Sequence, residues 1–393
     1  MKRHILPTNG RLPPQVIILG LVSLLNDAAS EMIYPLLPVF LTATLGATPV
    51  MVGIIEGAAD AVASILKLFA GTWSDKVGRR KPLVIAGYSL AAASRALIGA
   101  ATGWTSVLAA RLIDRTGKGI RSAPRDALIA DVTDVTQRGR AFGFHRALDH
   151  TGAIIGPLLA VLLISGLHFE MRTVFFLAVI PGLIGVVLIL FGVREHRAGA
   201  VSAHEASTGP LTRPFWRVMA AIALFALANS SDAFLILQAH AAGVSVAMLP
   251  LLWAAHHVIK SLFSTHAGGL SDRFGRKRML AAGWISYAVI YALFPFARSL
   301  PAFIALFVLY AIPFTLSEGA ERALISDLVP ANARGRGFGV YYLVTGMGVL
   351  VGSTIFGLLY QNVSAMAAFW VGAGLALLAA LSLRPSASSA SLR

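Results

Sequence analysis

No cysteine occurs among the 393 residues, so neither a disulfide framework nor thiol chemistry is available to this chain. Charge is scarce as well: Asp, Glu, Lys and Arg together make up 13% of the residues, against roughly 25% in soluble domains. The charge that remains leans one way, with 33 Lys and Arg against 18 Asp and Glu and a formal net charge of +15. A basic excess of that size could suggest nucleic acid. The bases, however, lie in short loops between apolar runs, which is how membrane topology is set rather than how a duplex is gripped. No nucleic-acid partner is expected. Also absent are His-Glu-x-x-His, Gly-x-Ser-x-Gly and Gly-x-x-x-x-Gly-Lys-Ser/Thr, the motifs of zinc peptidases, nucleophile elbows and phosphate loops. No cluster of His, Asp and Glu has diagnostic ligand spacing. The chain is expected to be no enzyme, with no catalytic residue, cofactor or resident metal.

What fills the sequence instead is apolar residue, 56% of the chain, with a mean hydropathy of +0.74. Apolar runs near 20 residues recur, long enough to cross a hydrocarbon core of about 30 Å. Twelve spans are expected, at 15–43, 48–73, 82–101, 104–130, 140–165 and 170–193, then 214–240, 246–270, 279–298, 301–328, 336–360 and 363–384. The start, Met1-Lys-Arg with the apolar run Val16–Leu25, resembles a signal peptide. It lacks a small-x-small cleavage site and the apolar pattern resumes at Met32, so it reads as an uncleaved first span. The partition is a first bundle over 1–193, a linker over 194–213 rich in Ala, Ser, Thr and Gly, and a second bundle over 214–393 whose end is a short Ser/Ala tail. Bases at the span ends fall almost all on one face, the opposite face holding Arg172 and Arg298. That asymmetry places both termini and the linker in the cytoplasm.

Two charged loops show that the halves are copies. Gly71-Thr-Trp-Ser-Asp75-Lys-Val-Gly78-Arg79-Arg80-Lys81 is repeated as Gly268-Gly-Leu-Ser-Asp272-Arg-Phe-Gly275-Arg276-Lys277-Arg278, an offset of 197 residues between Asp75 and Asp272. A second anchor, Asp131…Arg138-Gly-Arg140-Ala-Phe-Gly143, matches Asp327…Arg334-Gly-Arg336-Gly-Phe-Gly339 at an offset of 196. Parallel six-span repeats are the layout of large carriers whose substrate site lies near midplane.

These loops match G-x-x-x-D-[RK]-x-G-R-[RK], and on them the chain resembles the major facilitator superfamily, over its whole length. Asn26-Asp27-Ala-Ala-Ser30-Glu31-Met-Ile-Tyr34-Pro35 and Lys118-Gly-Ile-Arg121-Ser-Ala-Pro124-Arg125-Asp126 resemble a little-characterised prokaryotic branch of it. The resemblance implies an all-α membrane fold of 12 transmembrane helices in two six-helix repeats. It also implies that Asp75 faces the start of span 11 and Asp272 the start of span 5, a gate made of Gly71, Asp75, Gly78, Arg79, Gly268, Asp272, Gly275 and Arg276. An aspartate there can cap the positive end of a facing helix.

Ionisable residues inside spans are costly, and so are functional candidates. Asp27 and Glu31 lie four apart on span 1, and Glu56 and Asp60 four apart on span 2, each pair on one helical face. On span 4, steps of 4, 3 and 7 join Arg111, Arg115, Lys118 and Arg125 into one stripe, which must line a wet cavity or meet acids from its neighbours. The alternative is a static ion-pair lattice. A buried carboxylate carries protons if a nearby cation or a change of side moves its affinity, so Asp27, Glu31, Glu56, Asp60, Arg111, Arg115 and Lys118 are the expected coupling and substrate residues. Arg111 falls near the family's span-4 arginine, associated with proton coupling, although Asp114-Arg115 replaces the usual Gln-Gly. Gly152-Ala-Ile-Ile-Gly156-Pro157 resembles the family's antiporter motif, associated with export, with Leu159-Ala160 in place of its trailing glycines. In the second half the charges are Asn229 and Asp232 on span 7, His256, His257 and Lys260 on span 8, and Glu318, Glu321 and Arg322 on span 10, where Arg322 can pair with Glu318. Trp253, Tyr341 and Tyr342 are candidate cavity aromatics.

The expected function is secondary transport of a small organic solute by alternating access, as a monomer in the inner-membrane bilayer and with protons as partner, leading as proton-driven efflux. Proton-coupled uptake of an organic anion is the alternative, ahead of a divalent-metal transporter or a non-transporting sensor.

Overall fold

The computed structural model describes residues 11–34, 36–47, 49–195, 211–229, 235 and 249–383. Among these no strand occurs, and the chain is all-α. The helices of the first half are α1 (Pro14–Glu31), α2 (Pro49–Val77), α3 (Lys81–Gly99), α4 (Trp104–Val132), α5 (Arg138–Val161) and α6 (Met171–Gly192). Those of the second are α7 (Arg213–Ala228), α8 (Leu249–Phe274), α9 (Arg276–Leu293), α10 (Leu300–Leu328), α11 (Arg334–Asn362) and α12 (Ala365–Ser382). The first expected span is broken: α1 ends at Glu31, and a short helical stretch resumes over Leu37–Val39 and Phe40–Thr44. The end of the seventh expected span, with Asp232, lies outside the described residues.

Local chemistry explains the starts. Pro14, Pro82, Pro214 and Pro301 stand at the first or second position of α1, α3, α7 and α10, where a missing N–H costs nothing. The Ser364 hydroxyl caps α12 by accepting from Ala367 N at 3.0 Å. Seven helical segments among the described residues are long and apolar enough to cross a membrane by composition alone. Helix α4 is not one of them, because it carries Arg111, Asp114, Arg115, Lys118, Arg121, Arg125 and Asp126. Large apolar side chains are exposed, Phe191 at 86% and Phe69 at 64% among them, as lipid contact allows.

The contacts divide the chain into two compact units, and each draws one helix start from the other half of the sequence. Unit 1 comprises the described residues within 1–137, 144–210 and 329–343, and so includes the start of α11. Inside it α3 and α4 approach at Gly87 and Gly117, where a Cβ on either would sit 2.5 Å from the other's carbonyl oxygen, the small-residue packing that membrane helices use. Unit 2 comprises the described residues within 138–143, 211–328 and 344–393, and so includes the start of α5. Its core is aromatic: Phe225 stacks on Trp284 at 4.7 Å, and Tyr287, Tyr291, Phe294 and Tyr310 form a continuous cluster.

Candidate functional site

Helix α11 opens with Arg334-Gly-Arg336 and no acidic residue in its first turn, so it has no anionic cap of its own. Asp75, in the last turn of α2, supplies one. Its Oδ1 accepts from Gly335 N at 3.0 Å and its Oδ2 from Arg336 N at 2.7 Å. The approach needs two glycines, since a Cβ on Gly71 would run into the Gly335 carbonyl and one on Gly335 into Gly71. Arg80 closes the arrangement, donating hydrogen bonds to Asp75 Oδ1 at 3.1 Å and to the Ala331 carbonyl at 3.0 Å and forming an ion pair with Asp131 Oδ2 at 3.0 Å. Arg334 Nη1 reaches Asp131 Oδ1 at 2.5 Å. Burial pushes the Asp75 carboxyl, beyond the apolar span 48–73, up to about 6, although Arg80 and the two N–H groups pull it down.

Unit 2 repeats the pattern. Asp272 of α8 accepts from Gly139 N and Arg140 N at 2.9 Å each, capping α5, whose N-cap residue Gln137 makes no side-chain bond. A Cβ on Gly268 would run into the Gly139 carbonyl. Arg276 binds both Asp272 and Asp327, and Arg138 bonds Asp327 at 2.7 Å. The basic side chains at the helix starts therefore bind a third-party aspartate, while the motif aspartates bind backbone.

The loops differ by one residue. Gly78 and Gly275 take left-handed φ values of +63° and +96° and turn the chain after each motif aspartate. After Gly275 helix α9 starts at once with Arg276; after Gly78 two residues intervene before α3. Arg79 is exposed, and Arg80 makes the bonds that Arg276 makes in unit 2. From Arg80 to Arg276 the offset is 196. The change from 197 to 196 between the two sequence anchors marks this one-residue difference and could have pointed to Arg80.

The acids of α1 meet the bases of α4. Glu31 lies in the field of Lys118, Arg115 and Arg111, and Asp27 in that of Lys118, Arg121 and Arg125. Arg111 and Arg115 share Asp114 Oδ2 at 3.4 and 3.5 Å. The glycines of the antiporter-like motif set the height of α1 on α5: a Cβ on Gly152 would lie 3.0 Å from Asp27 Cβ, and one on Gly156 2.7 Å from Glu31 Cβ. Pro157 follows inside the helix. Glu56 and Asp60 lie on α2, but their side chains, like that of Trp253, are outside the described set.

Three groups of this cluster had no role assigned from sequence. Arg95 of α3 is buried and donates to Asn26 O, Asn26 Oδ1 and Ser30 Oγ at 2.8 to 3.0 Å; an arginine inside an apolar span was its signal. Asp149 of α5 accepts from Arg146 at 2.6 Å and lies 3.7 Å from His145 Nδ1. Asp126 accepts from Tyr342 of α11, over whose ring Lys67 lies at 4.8 Å. In unit 2, Lys260 bonds the Glu318 carboxylate at 2.8 Å and covers the Phe314 ring, while Arg322 donates to the Glu318 backbone carbonyl.

An all-helical, multi-pass membrane protein built from two repeats, each closed by an aspartate on a helix start, is a solute carrier by class. The chain belongs to the Major Facilitator Superfamily, whose family model matches residues 19–256 and 232–391. It is 33% identical over 380 residues to an uncharacterised transporter of this superfamily from Methanocaldococcus jannaschii, covering 95% of this chain and 94% of the relative. It is 31% identical over 363 residues to a probable 4-methylmuconolactone transporter of Cupriavidus pinatubonensis, covering 84% and 79%. Among solved structures, that of the human organic anion transporter MFSD10 superposes with a TM-score of 0.79 at 17% identity, over 94% of this chain and 99% of that one. That likeness is one of fold.

Proposed function

We propose that this chain carries a small organic anion together with protons across the cytoplasmic membrane, by alternating access, with both termini in the cytoplasm. The observation that carries the reading is the placement of Glu31 in the field of Lys118, Arg115 and Arg111. When Glu31 is ionised it neutralises part of that basic group; when it takes a proton, the bases turn to an anionic group on the solute. Solute and proton then travel in the same direction, since each is best held when the other is present. Asp75 and Asp272 hold the cytoplasmic side closed through the starts of α11 and α5, and release them as the halves rock. The relative described as a probable 4-methylmuconolactone transporter supports a small organic solute.

Export against proton entry is the second reading, favoured by Gly152-Ala-Ile-Ile-Gly156-Pro157. Here those glycines fit α1 against α5 at Asp27 and Glu31, a task that serves either direction. The test is a thermal-shift screen of the purified carrier against organic acids, cationic drugs and divalent metals at two pH values. Organic acids should bind more tightly at the lower pH, and Glu31→Gln should remove that dependence. Binding confined to cations, or a pH dependence that survives Glu31→Gln, overturns the proposal.

A further inference from the structure

Beyond its first residue, helix α3 carries a single charge, Arg95, which is buried at 2% exposure. At an offset of 196 the same place in unit 2 is held by Tyr291, part of the aromatic core. An aromatic ring is thus enough to pack this position of the repeat, and a guanidinium in an apolar span is costly to keep. Gly182 of α6 makes room for it: a Cβ on that glycine would come 2.5 Å from Arg95 Nη1.

The guanidinium is directed at the last full turn of α1. Arg95 Nη2 donates to Asn26 O at 3.0 Å, to Asn26 Oδ1 at 2.8 Å and to Ser30 Oγ at 3.0 Å. Asp27 lies inside that turn, and Glu31 ends the helix directly after it. Arginine only donates, so the amide oxygen of Asn26 faces Arg95 and its nitrogen is turned the other way. Asn26 Nδ2 donates to Asp27 Oδ1 at 3.1 Å. A guanidinium placed directly on Asp27 would hold the carboxylate in its ionised form. An amide N–H serves a carboxylate and the carbonyl oxygen of a carboxylic acid alike, so this contact survives a change of charge.

We infer that Arg95 and Asn26 are positioning residues for Asp27, and that they direct its proton to one oxygen. The guanidinium fixes the Asn26 amide, and the amide keeps Asp27 Oδ1 as an acceptor in both charge states. A proton arriving from solution therefore bonds to Oδ2, and the carboxyl loses its negative charge without turning. The inference rests on the proposed role of α1 as the proton-carrying helix. The charged groups facing Asp27 are Arg95 of α3, Lys118, Arg121 and Arg125 of α4, Asp149 of α5 and Glu31 of α1 itself. Helix α6, which also packs on α1, has no charged residue over 173–192.

Infrared difference spectra of the purified full-length carrier, taken across a pH titration, read this arrangement at the carboxyl itself. The carboxylic-acid C=O band that is lost in Asp27→Asn belongs to Asp27. In wild type that carbonyl is Oδ1, and accepting from Asn26 lowers its stretching frequency. Asn26→Leu, close in shape but without the donor, should move the band to higher wavenumber. Arg95→Met, which frees the amide to turn, should move it the same way. The two combined should move it no further than Asn26→Leu alone, as members of one network are non-additive. Arg95→Lys should keep the wild-type position, because all three bonds come from one nitrogen and an ammonium has three donors. A band unmoved in Asn26→Leu, a band absent at every pH, or equal movement in Arg95→Lys and Arg95→Met overturns the inference. The Asn26→Leu comparison stands even where Arg95→Met fails to fold. The spectra need no solute, so the proposed function is judged apart from them, by whether organic-acid binding depends on pH.

Discussion

At Asp75 one carboxylate ends α2 and caps α11, and the same atoms explain why its proton affinity is displaced. Its usual value near 3.8 is pushed to about 6 by burial, so the folded protein takes up a proton that the unfolded chain does not hold. The stabilisation from that uptake is complete below about pH 4 and is lost as the pH rises through about 6. Asn at this position cannot titrate. Wild type should therefore lose stability relative to Asp75→Asn between pH 4 and pH 7, by on the order of 2 to 3 kcal/mol, read from thermal unfolding of both proteins across that range. A difference that does not move with pH would mean that the two N–H groups and Arg80 keep Asp75 ionised throughout. The motif aspartates, their glycines and the buried charges of α1 and α4 are legible as residue types. Arg80 is harder to read than Arg79, because the two loops are alike in sequence while their chains leave the turn one residue apart.

Helices α1 and α5 show what a motif becomes when its element is built. Sequence marks Gly152, Gly156 and Pro157 as one group through their spacing, and Asp27 and Glu31 as another. That the first group fits against the second is a fact of packing between helices far apart in the chain, which no periodicity carries. Apolar length gives most spans, and capping prolines mark several starts. Helix α4 is legible only as a stripe of charge that cannot face lipid, because its partners come from α1, α2 and α3. The packing makes a contrast that can be measured. An added methyl at Gly156 would sit 2.7 Å from Glu31 Cβ, whereas nothing lies within 4 Å of one at Gly374 in α12. Gly156→Ala should cost about 1 to 3 kcal/mol through overpacking. Gly374→Ala should instead add about 0.5 to 1 kcal/mol by stiffening the helix. Thermal unfolding of the two variants in the same detergent checks the pair, and equal effects would show that α1 yields to the methyl.

For the whole molecule, duplication gives two clasps of the same chemistry, and the alternating access proposed above demands that they act together. Each has a sensor already in place: Ser74 is buried beside Gly335, and Ser271 beside Gly139. Ser74→Cys and Ser271→Cys are near-isosteric, so each thiol should be protected while its clasp is closed. Asp75→Asn removes one anionic cap and leaves Asp272 with Gly139, Arg140 and Arg276 untouched. If the clasps opened independently, only the Ser74→Cys thiol would react faster in that variant. A rocking motion gives another result, because weakening one tie shifts a single two-state equilibrium that both thiols report. The labelling rates of Ser74→Cys and Ser271→Cys, each measured in the Asp75→Asn background, should rise by a similar factor, roughly tenfold for the loss of a charge-assisted bond. Acceleration at Ser74→Cys alone would reduce the repeated loop to two separate helix caps, and alternating access would then need another origin.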